Sequence, residues 1–174
     1  LFQTTDVIMG TSLCLAGLAT LAWAGRRPLG RQGWSGVGFV AGGLFSVLDA
    51  LVTMDCSPTR SKACLAAEEA GHVSWSHFIH VGTSTIVVVG FALPILLLNS
   101  TMTRFRGFGL VVTWAWVVFT LLNGIGAIDW FDGTPMDYTG IWQRFSLGLG
   151  TLWWLTLAAD DVVTARALIR TSSC

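Results

Sequence analysis

The sequence has very few charged residues for its length. Charged side chains make up 11% of the 174 residues, whereas a soluble domain carries about 25%. Hydrophobic residues make up 53%, and the mean hydropathy is +0.66. A chain with so few charges cannot cover a water-facing surface, so the composition indicates an integral membrane protein.

Two further absences exclude functional classes. The ten basic and ten acidic residues balance, so no basic excess is present to neutralise nucleic-acid phosphates, and we expect no nucleic-acid partner. The four cysteines form no C-x-x-C pair and no metal quartet, which argues against zinc-ribbon and thioredoxin-type proteins. The chain also has no linker or low-complexity segment. Residues 1–174 are therefore predicted to form a single transmembrane bundle domain.

Five apolar stretches approach the roughly 20 residues that a transmembrane helix needs. They are Val7–Ala24, Trp34–Met54, Trp75–Leu98, Gly107–Ile128 and Phe145 to about Ile169. The last is interrupted by Asp160 and Asp161, which we expect to pair with Arg166 or other nearby arginines. The sequence thus predicts an all-α integral membrane protein with five transmembrane helices, located in the cell membrane.

The loop charges predict the orientation of this bundle. Lys and Arg are retained on the cytoplasmic side of a membrane, and seven of the ten basic residues follow the first, third and fifth spans: Arg26, Arg27, Arg31, Arg104, Arg106, Arg166 and Arg170. The N-terminus is therefore predicted to lie outside and the C-terminus in the cytoplasm. An outside N-terminus that begins with Leu1 needs something to carry it across, so we expect a preceding first helix, with a cleaved signal peptide or an authentic mature N-terminus as alternatives.

The extracytoplasmic loop of residues 55–74 is the only loop long enough to form structure of its own. Ser61 can cap a short helix that Gly71 ends. Cys56 and Cys64 bracket the start of this helix on the oxidising side of the membrane, where disulfides persist. We therefore expect a disulfide, with two free thiols as the alternative.

Polar residues near the outer ends of the spans form the best candidate site. Ionisable groups inside spans cost about 2.5–3.5 kcal/mol at mid-helix and therefore suggest a function. If the helices pack together, seven such residues converge at one depth: Asp49, His77, His80, Asn123, Asp129, Gln143 and Arg144.

The two histidines of this set allow two interpretations. His77 and His80 are three residues apart and so share one face of a helix. With Asp49 or Asp129 they could hold a divalent metal with an open coordination position, as in catalytic zinc sites. Alternatively, the histidines are interfacial hydrogen-bonding residues, and one of the aspartates pairs with Arg144. We prefer the second interpretation, because HxxH lacks the glutamate of the HExxH motif.

Three motifs in the last four spans carry a family resemblance. They are GGLFSVLDALVTMDCSP with its Asp55, SHFIHVGTS at the start of the third span, and GIWQRFSLGLGTLWW in the last. Over roughly Trp34 to Val163 the chain resembles the prokaryotic multi-pass membrane family known as domain of unknown function 998. The resemblance implies a six-helix protein, in agreement with a missing first helix. The usual FP-x-D of the family reads TMDCSP here, and the cysteine pair is not expected throughout the family.

The resemblance also implies which polar positions recur in the family. They are Asp55, His77 or His80, Gln143 and Arg144. Together with Asn123, we take Asp55, Gln143 and Arg144 as candidate ligand-binding residues.

The absence of any strong catalytic signature favours a non-catalytic function. Close helix contacts, which small residues permit in lipid, are suggested by Gly38 and Gly42, Gly124 and Gly126, and Gly148 and Gly150. We predict an accessory or scaffold subunit that binds membrane lipid, a partner membrane protein or another copy of itself. The alternative is a metal-dependent hydrolase acting on a lipid or cell-envelope substrate at the outer leaflet. Its metal ligands would be His77, His80 and Asp49 or Asp129, and Arg144 would bind an anionic head group.

Overall fold

The computed structural model describes residues 2–24, 30–57, 61–127 and 139–172, and all regular structure in these ranges is helical. In chain order the helices are α1 (Phe2–Ala24), α2 (Arg31–Leu51), α3 (Lys62–Glu69), α4 (Trp75–Leu98), α5 (Arg106–Ala127) and α6 (Thr139–Ser172). We call the end of the bundle where α2 ends and α4 begins the outer end. The inner end is the opposite one, where α4 ends and α5 begins. These names follow the predicted orientation.

Four helices in the described ranges are long and apolar enough to cross a membrane, namely α1, α2, α4 and α5. The fifth predicted span falls within α6, which has 34 residues but is not one of the four, since Asp160 and Asp161 lower its average hydropathy. The prediction of an all-helical membrane protein is thus confirmed. The count of five spans and the orientation stay predictions.

Helix α2 differs from its predicted bounds. The apolar pattern predicts a span from Trp34 to Met54, whereas the helix runs from Arg31 to Leu51 and Val52 is already extended, with φ −106° and ψ 114°. The apolar stretch continues to Met54, but hydropathy does not show where the helical hydrogen bonds end, so the predicted span is too long. The carbonyl of Val52 is consequently outside the helix and free to accept a side-chain donor.

Glycines bring α1, α2 and α4 into close contact. Gly90 of α4 lies against α2 so closely that a Cβ atom placed on it would be 2.6 Å from the Cα of Gly42. A Cβ on Gly10 of α1 would likewise be 2.6 Å from the carbonyl oxygen of Gly43. The predicted contact at Gly42 is therefore present, whereas a Cβ placed on Gly124 or Gly148 would have no atom of another helix within 4 Å.

Aromatic side chains join α5 to α6. The ring of Phe119 stacks on Phe145, with centroids 5.2 Å apart, and lies 5.7 Å from the ring of Trp142. A buried core near the inner half of the bundle links this pair to the other helices: Phe39 of α2 contacts Trp154 of α6 at a centroid distance of 4.3 Å. Trp153 is fully buried in the same core.

Asp160 holds the turn between α4 and α5 against α6. Its side chain is buried, and its carboxylate accepts hydrogen bonds from the backbone N–H groups of Thr103 (2.9 Å), Arg104 (2.6 Å) and Phe105 (2.8 Å). Within the described residues Asp160 forms no ion pair with an arginine side chain, so the expected pairing is not found there. The backbone amides that precede α5 have no partner within a helix and supply the donors instead.

The outer loop folds as the sequence predicts. The side chain of Ser61 accepts a hydrogen bond from the N–H of Cys64 (3.3 Å), which caps α3. Gly71 takes a left-handed conformation, φ +69°, and donates its N–H to the carbonyl of Glu68 (3.0 Å), as a glycine after a helix commonly does. The disulfide between Cys56 and Cys64 is present, with a Cα–Cα distance of 5.9 Å.

Candidate ligand-binding cavity

A cavity of about 460 Å³ lies between the α1, α2 and α4 group and the α5 and α6 pair. Each of the five helices contributes at least one polar residue near its outer end, and all of them except α2 also contribute apolar residues on the following turns. The polar residues at the outer end are Asp6, Ser46, Asp49, Ser84, Asn123, Gln143 and Ser146. Deeper in, the lining is mainly apolar and includes Leu13, Val87, Phe91, Trp116, Gly150 and Trp154. The cavity is therefore polar at one end and mainly apolar along the rest of its length.

Asp49 is the most extensively bonded side chain of the polar end. Its carboxylate accepts hydrogen bonds from the hydroxyl of Thr83 (2.5 Å) and from the hydroxyl of Ser84 (2.9 and 3.1 Å). The close approach of α4 to α2 at Gly90 brings these hydroxyls within reach. The Asp49 side chain keeps 23% of its surface exposed, so its carboxylate also borders the cavity.

His80 lies beside Asp49 in a fixed orientation. Its Nδ1 atom is 2.7 Å from the carbonyl oxygen of Val52 and 3.4 Å from the carboxylate of Asp49. A carbonyl oxygen can only accept a hydrogen bond, so Nδ1 carries a proton. In the neutral ring, Nε2 is then the nitrogen with the lone pair.

His77 does not join this group, although it is three residues from His80. It is fully buried, and its Nε2 atom lies 3.7 Å from the carboxylate of Glu68 on α3. Neither ring nitrogen has a hydrogen-bond partner among the described residues. Residues three apart on a helix differ by about 60° in direction, which is enough for His80 to face α2 while His77 faces α3.

The structure therefore does not assemble the predicted metal ligands. In the described ranges no three His, Cys, Asp or Glu side chains lie close enough together to hold a metal ion. His77 is the member that is displaced from His80 and Asp49. The alternative ligand Asp129 lies outside the described residues.

The other candidate residues divide between two places. Asn123 and Gln143 line the cavity with Asp49. Arg144 is exposed at the start of α6 and is not among the residues that line it.

Asp55 lies in the outer loop and holds that loop to the start of α4. Its carboxylate accepts hydrogen bonds from the backbone N–H of Ser74 (2.6 Å) and from the Ser74 hydroxyl (2.7 Å). These two bonds lower the pKa of Asp55 from its ordinary value. Its contacts in the structure are those of a loop-closing residue, and it does not line the cavity.

Several lining residues were missed by the sequence reasoning. The predicted first span begins at Val7 and leaves out Asp6, whereas α1 begins at Phe2 and Asp6 lines the cavity. A usable signal was present in the spacing, because three helices each carry two polar residues three positions apart. These pairs are Ser46 and Asp49, Thr120 and Asn123, and Gln143 and Ser146, and all six residues line the cavity.

The long apolar helices and the cavity between them are those of a multi-pass helical membrane protein. A family model described as "Protein of unknown function (DUF998)" matches residues 1–160. The chain thus belongs to this family, which confirms the resemblance and extends it to α1. No curated protein and no solved structure matches the chain.

Proposed function

We propose that the protein binds an amphipathic, lipid-like molecule in the cavity, with the head group at the outer end and the hydrocarbon part between the deeper helix turns. The observation that carries this proposal is the change from polar to apolar lining along one cavity. Small-molecule sites are typically cavities of about 300–1,000 Å³, mostly apolar, with a few polar groups that fix the orientation. The cavity of about 460 Å³ has this size and this character.

The polar end favours a cationic amine as the head group. Two carboxylates, Asp6 and Asp49, line it, and no Lys or Arg is present among the described lining residues. Carboxylates only accept hydrogen bonds, so a ligand that donates hydrogen bonds and carries positive charge complements them. The carboxylate of Asp49 accepts from two hydroxyls, which leaves acceptor capacity for a further donor.

The packing of the helices supports entry of the ligand from the bilayer. Helix α1 packs extensively on α2, and α5 packs extensively on α6, but no extensive packing joins α1 to α5 or α6 in the described ranges. Residues of α1 and of α6 nevertheless line the same cavity. A lipid tail could therefore pass between these helices without crossing water.

This proposal develops the lipid-binding part of the sequence hypothesis. Partner-protein binding, self-association and a role as an accessory subunit have no supporting observation in the structure. The hydrolase alternative has little support, because His77 lies apart from His80 and Asp49.

The test is native mass spectrometry of the full chain extracted with its surrounding lipid. We expect one equivalent of an amine-headed lipid to remain bound to the wild type. Ala16→Phe places a ring in the cavity and should remove this lipid. Ala19→Phe is the matched control, because Ala19 is exposed on the same helix and does not line the cavity. A wild type without bound lipid, or equal retention in both variants, would overturn the proposal.

Head-group selectivity is tested by Asp49→Asn, which keeps the shape of the side chain and removes its charge. A charge-assisted hydrogen bond contributes about 1.5–3 kcal/mol, so the affinity for an amine-headed lipid should fall about tenfold or more. Asp55→Asn is the control, since the same change is made outside the cavity. If Asp49→Asn binds the lipid as tightly as wild type, the cationic head group is excluded. The proposal that the cavity binds a lipid would then be decided by Ala16→Phe alone.

A further inference from the structure

A second, smaller cavity lies at the inner end of the bundle, away from the one described above. It measures about 220 Å³ and is lined by Arg104, Val163, Arg166 and Ala167. Arg104 belongs to the turn before α5, and the other three belong to α6. Two arginines and two apolar residues thus line one small cavity.

The Asp160 carboxylate explains why two like charges lie together here. It binds the backbone N–H groups of the turn that contains Arg104, and this holds the turn against α6 near Arg166. Because backbone amides use the carboxylate oxygens, Asp160 anchors the turn without forming an ion pair with either guanidinium. In the described part of the chain, neither Arg104 nor Arg166 forms an ion pair.

Two arginines that line one cavity and form no ion pair within the described residues favour an anion that contacts both of them. Guanidinium presents a planar set of donors that matches phosphate oxygens and binds them in a bidentate manner. The side chains of Val163 and Ala167 add an apolar wall, which suits a ligand whose phosphate is attached to hydrocarbon. An inorganic anion has no hydrocarbon that could contact these two side chains.

We propose that this cavity binds the phosphate of an anionic phospholipid in the inner leaflet. Under the predicted orientation the inner end faces the cytoplasm, where anionic lipids are enriched and basic pockets between transmembrane helices bind their head groups. The site is independent of the outer cavity. Its ligand has the opposite charge from the amine proposed there.

The test is a lipid titration of the full chain, followed by native mass spectrometry, with dioleoylphosphatidylglycerol and dioleoylphosphatidylcholine as probes. A hydrogen bond from a guanidinium to a bound phosphate contributes about 1.5–3 kcal/mol, which corresponds to roughly tenfold or more in affinity. Arg104→Gln and Arg166→Gln should therefore each weaken phosphatidylglycerol binding roughly tenfold or more and leave phosphatidylcholine binding unchanged. Both side chains are exposed, so both variants should still fold. A thermal unfolding transition like that of the wild type verifies this.

Arg106→Gln is the matched control. Arg106 is also exposed at the inner end but does not line this cavity, so its loss should leave phosphatidylglycerol binding unchanged. An equal loss of binding in this variant would overturn the proposal, because the preference would then be a general effect of surface charge. So would a wild type that binds the two lipids equally.

Inorganic phosphate distinguishes the source of the anion. Added phosphate at millimolar concentration should displace little phosphatidylglycerol, because it lacks the hydrocarbon that contacts Val163 and Ala167. Displacement by phosphate at the same molar concentration as the lipid would overturn the lipid assignment in favour of a site for a soluble phosphate.

Discussion

Asp49 and Asp160 lie towards opposite ends of the bundle, and each is held by several hydrogen bonds of a different kind. Asp160 is 3% exposed and accepts from three backbone N–H groups. Asp49 is 23% exposed at its side chain, accepts from the hydroxyls of Thr83 and Ser84, and lines a cavity.

The two aspartates differ in how freely their hydrogen-bond donors can move. A backbone amide cannot turn away from Asp160 without a rearrangement of the whole turn, so that carboxylate is committed to the fold. A hydroxyl rotates and can also accept a hydrogen bond, so the partners of Asp49 can adjust when a ligand arrives. Of the two carboxylates, Asp49 is therefore the one whose partners can rearrange when a ligand binds.

The first prediction compares the same substitution at both aspartates. Asp160→Asn replaces one carboxylate oxygen with an NH₂ group that faces backbone donors, so at least one backbone N–H loses its acceptor. Hydrogen bonds to charged groups contribute about 1.5–3 kcal/mol each, and we expect the free energy of unfolding to fall by about 2–4 kcal/mol. Unfolding in mixed micelles, followed by tryptophan fluorescence, measures this. Asp161→Asn is the control, because Asp161 is exposed, and an equal loss there would contradict the prediction.

The second prediction changes the helix contact that supports Asp49. Gly90→Val places side-chain atoms into the backbone of α2, because a Cβ there lies 2.6 Å from Gly42. Overpacking of this kind costs about 1–3 kcal/mol, and separation of α4 from α2 should also withdraw Thr83 and Ser84 from Asp49.

Gly82→Val is the control on the same helix, since no heavy atom lies within 4 Å of a Cβ placed there. Thermal transitions and lipid retention of both variants are the measurements. Equal behaviour of the two variants would show that the contact of α2 with α4 does not position the site.

The third prediction concerns the stability of Asp49→Asn. Because the two hydroxyls can reverse their hydrogen bonds to suit an amide, we expect the free energy of unfolding to change by less than about 1 kcal/mol. Lipid binding should nevertheless fall as described above. A stability loss as large as that of Asp160→Asn, measured in the same micelles, would remove the distinction between the two aspartates.

The smallest expected effect is a pH dependence at the outer loop. The N–H and the hydroxyl of Ser74 lower the pKa of Asp55 below its ordinary value of 3.8. The stabilisation is therefore fully present above pH 3.8 and is lost as the pH falls through the lower, folded-state pKa. Hydrogen exchange at the start of α4 should rise in wild type between pH 4 and pH 2, after correction for the intrinsic rate. The corrected exchange of Asp55→Asn should change less, and an identical profile would contradict the assignment.

Much of the fold follows from local patterns in the sequence. The bounds of α4, Trp75–Leu98, match the apolar stretch, and the cap at Ser61 and the Cys56–Cys64 disulfide follow from residue type and spacing. These features depend on neighbours in the chain, which is why the sequence alone predicts them.

The site was predicted less completely. Asp49, Asn123 and Gln143 do line one cavity, because a shared depth in the membrane can be read from the position of a residue along its span. The direction of His77 cannot be read in this way, since it depends on how α4 is rotated against α2 and α3. The hydrogen-bond partners of Asp160 could not be predicted either, because every residue except proline has a backbone N–H and the residue types in the turn do not reveal which ones bind a carboxylate.

The early end of α2 sets the chemistry of a side chain on another helix. If α2 continued to Met54, Val52 would take a helical conformation, and its carbonyl would point along the helix axis instead of towards His80. Because the helix ends at Leu51, that carbonyl accepts from Nδ1 of His80 at 2.7 Å. The ring is thereby restricted to one tautomer when it is neutral. The point at which one helix ends thus selects the tautomer of an imidazole on a neighbouring helix, with no change to the histidine itself.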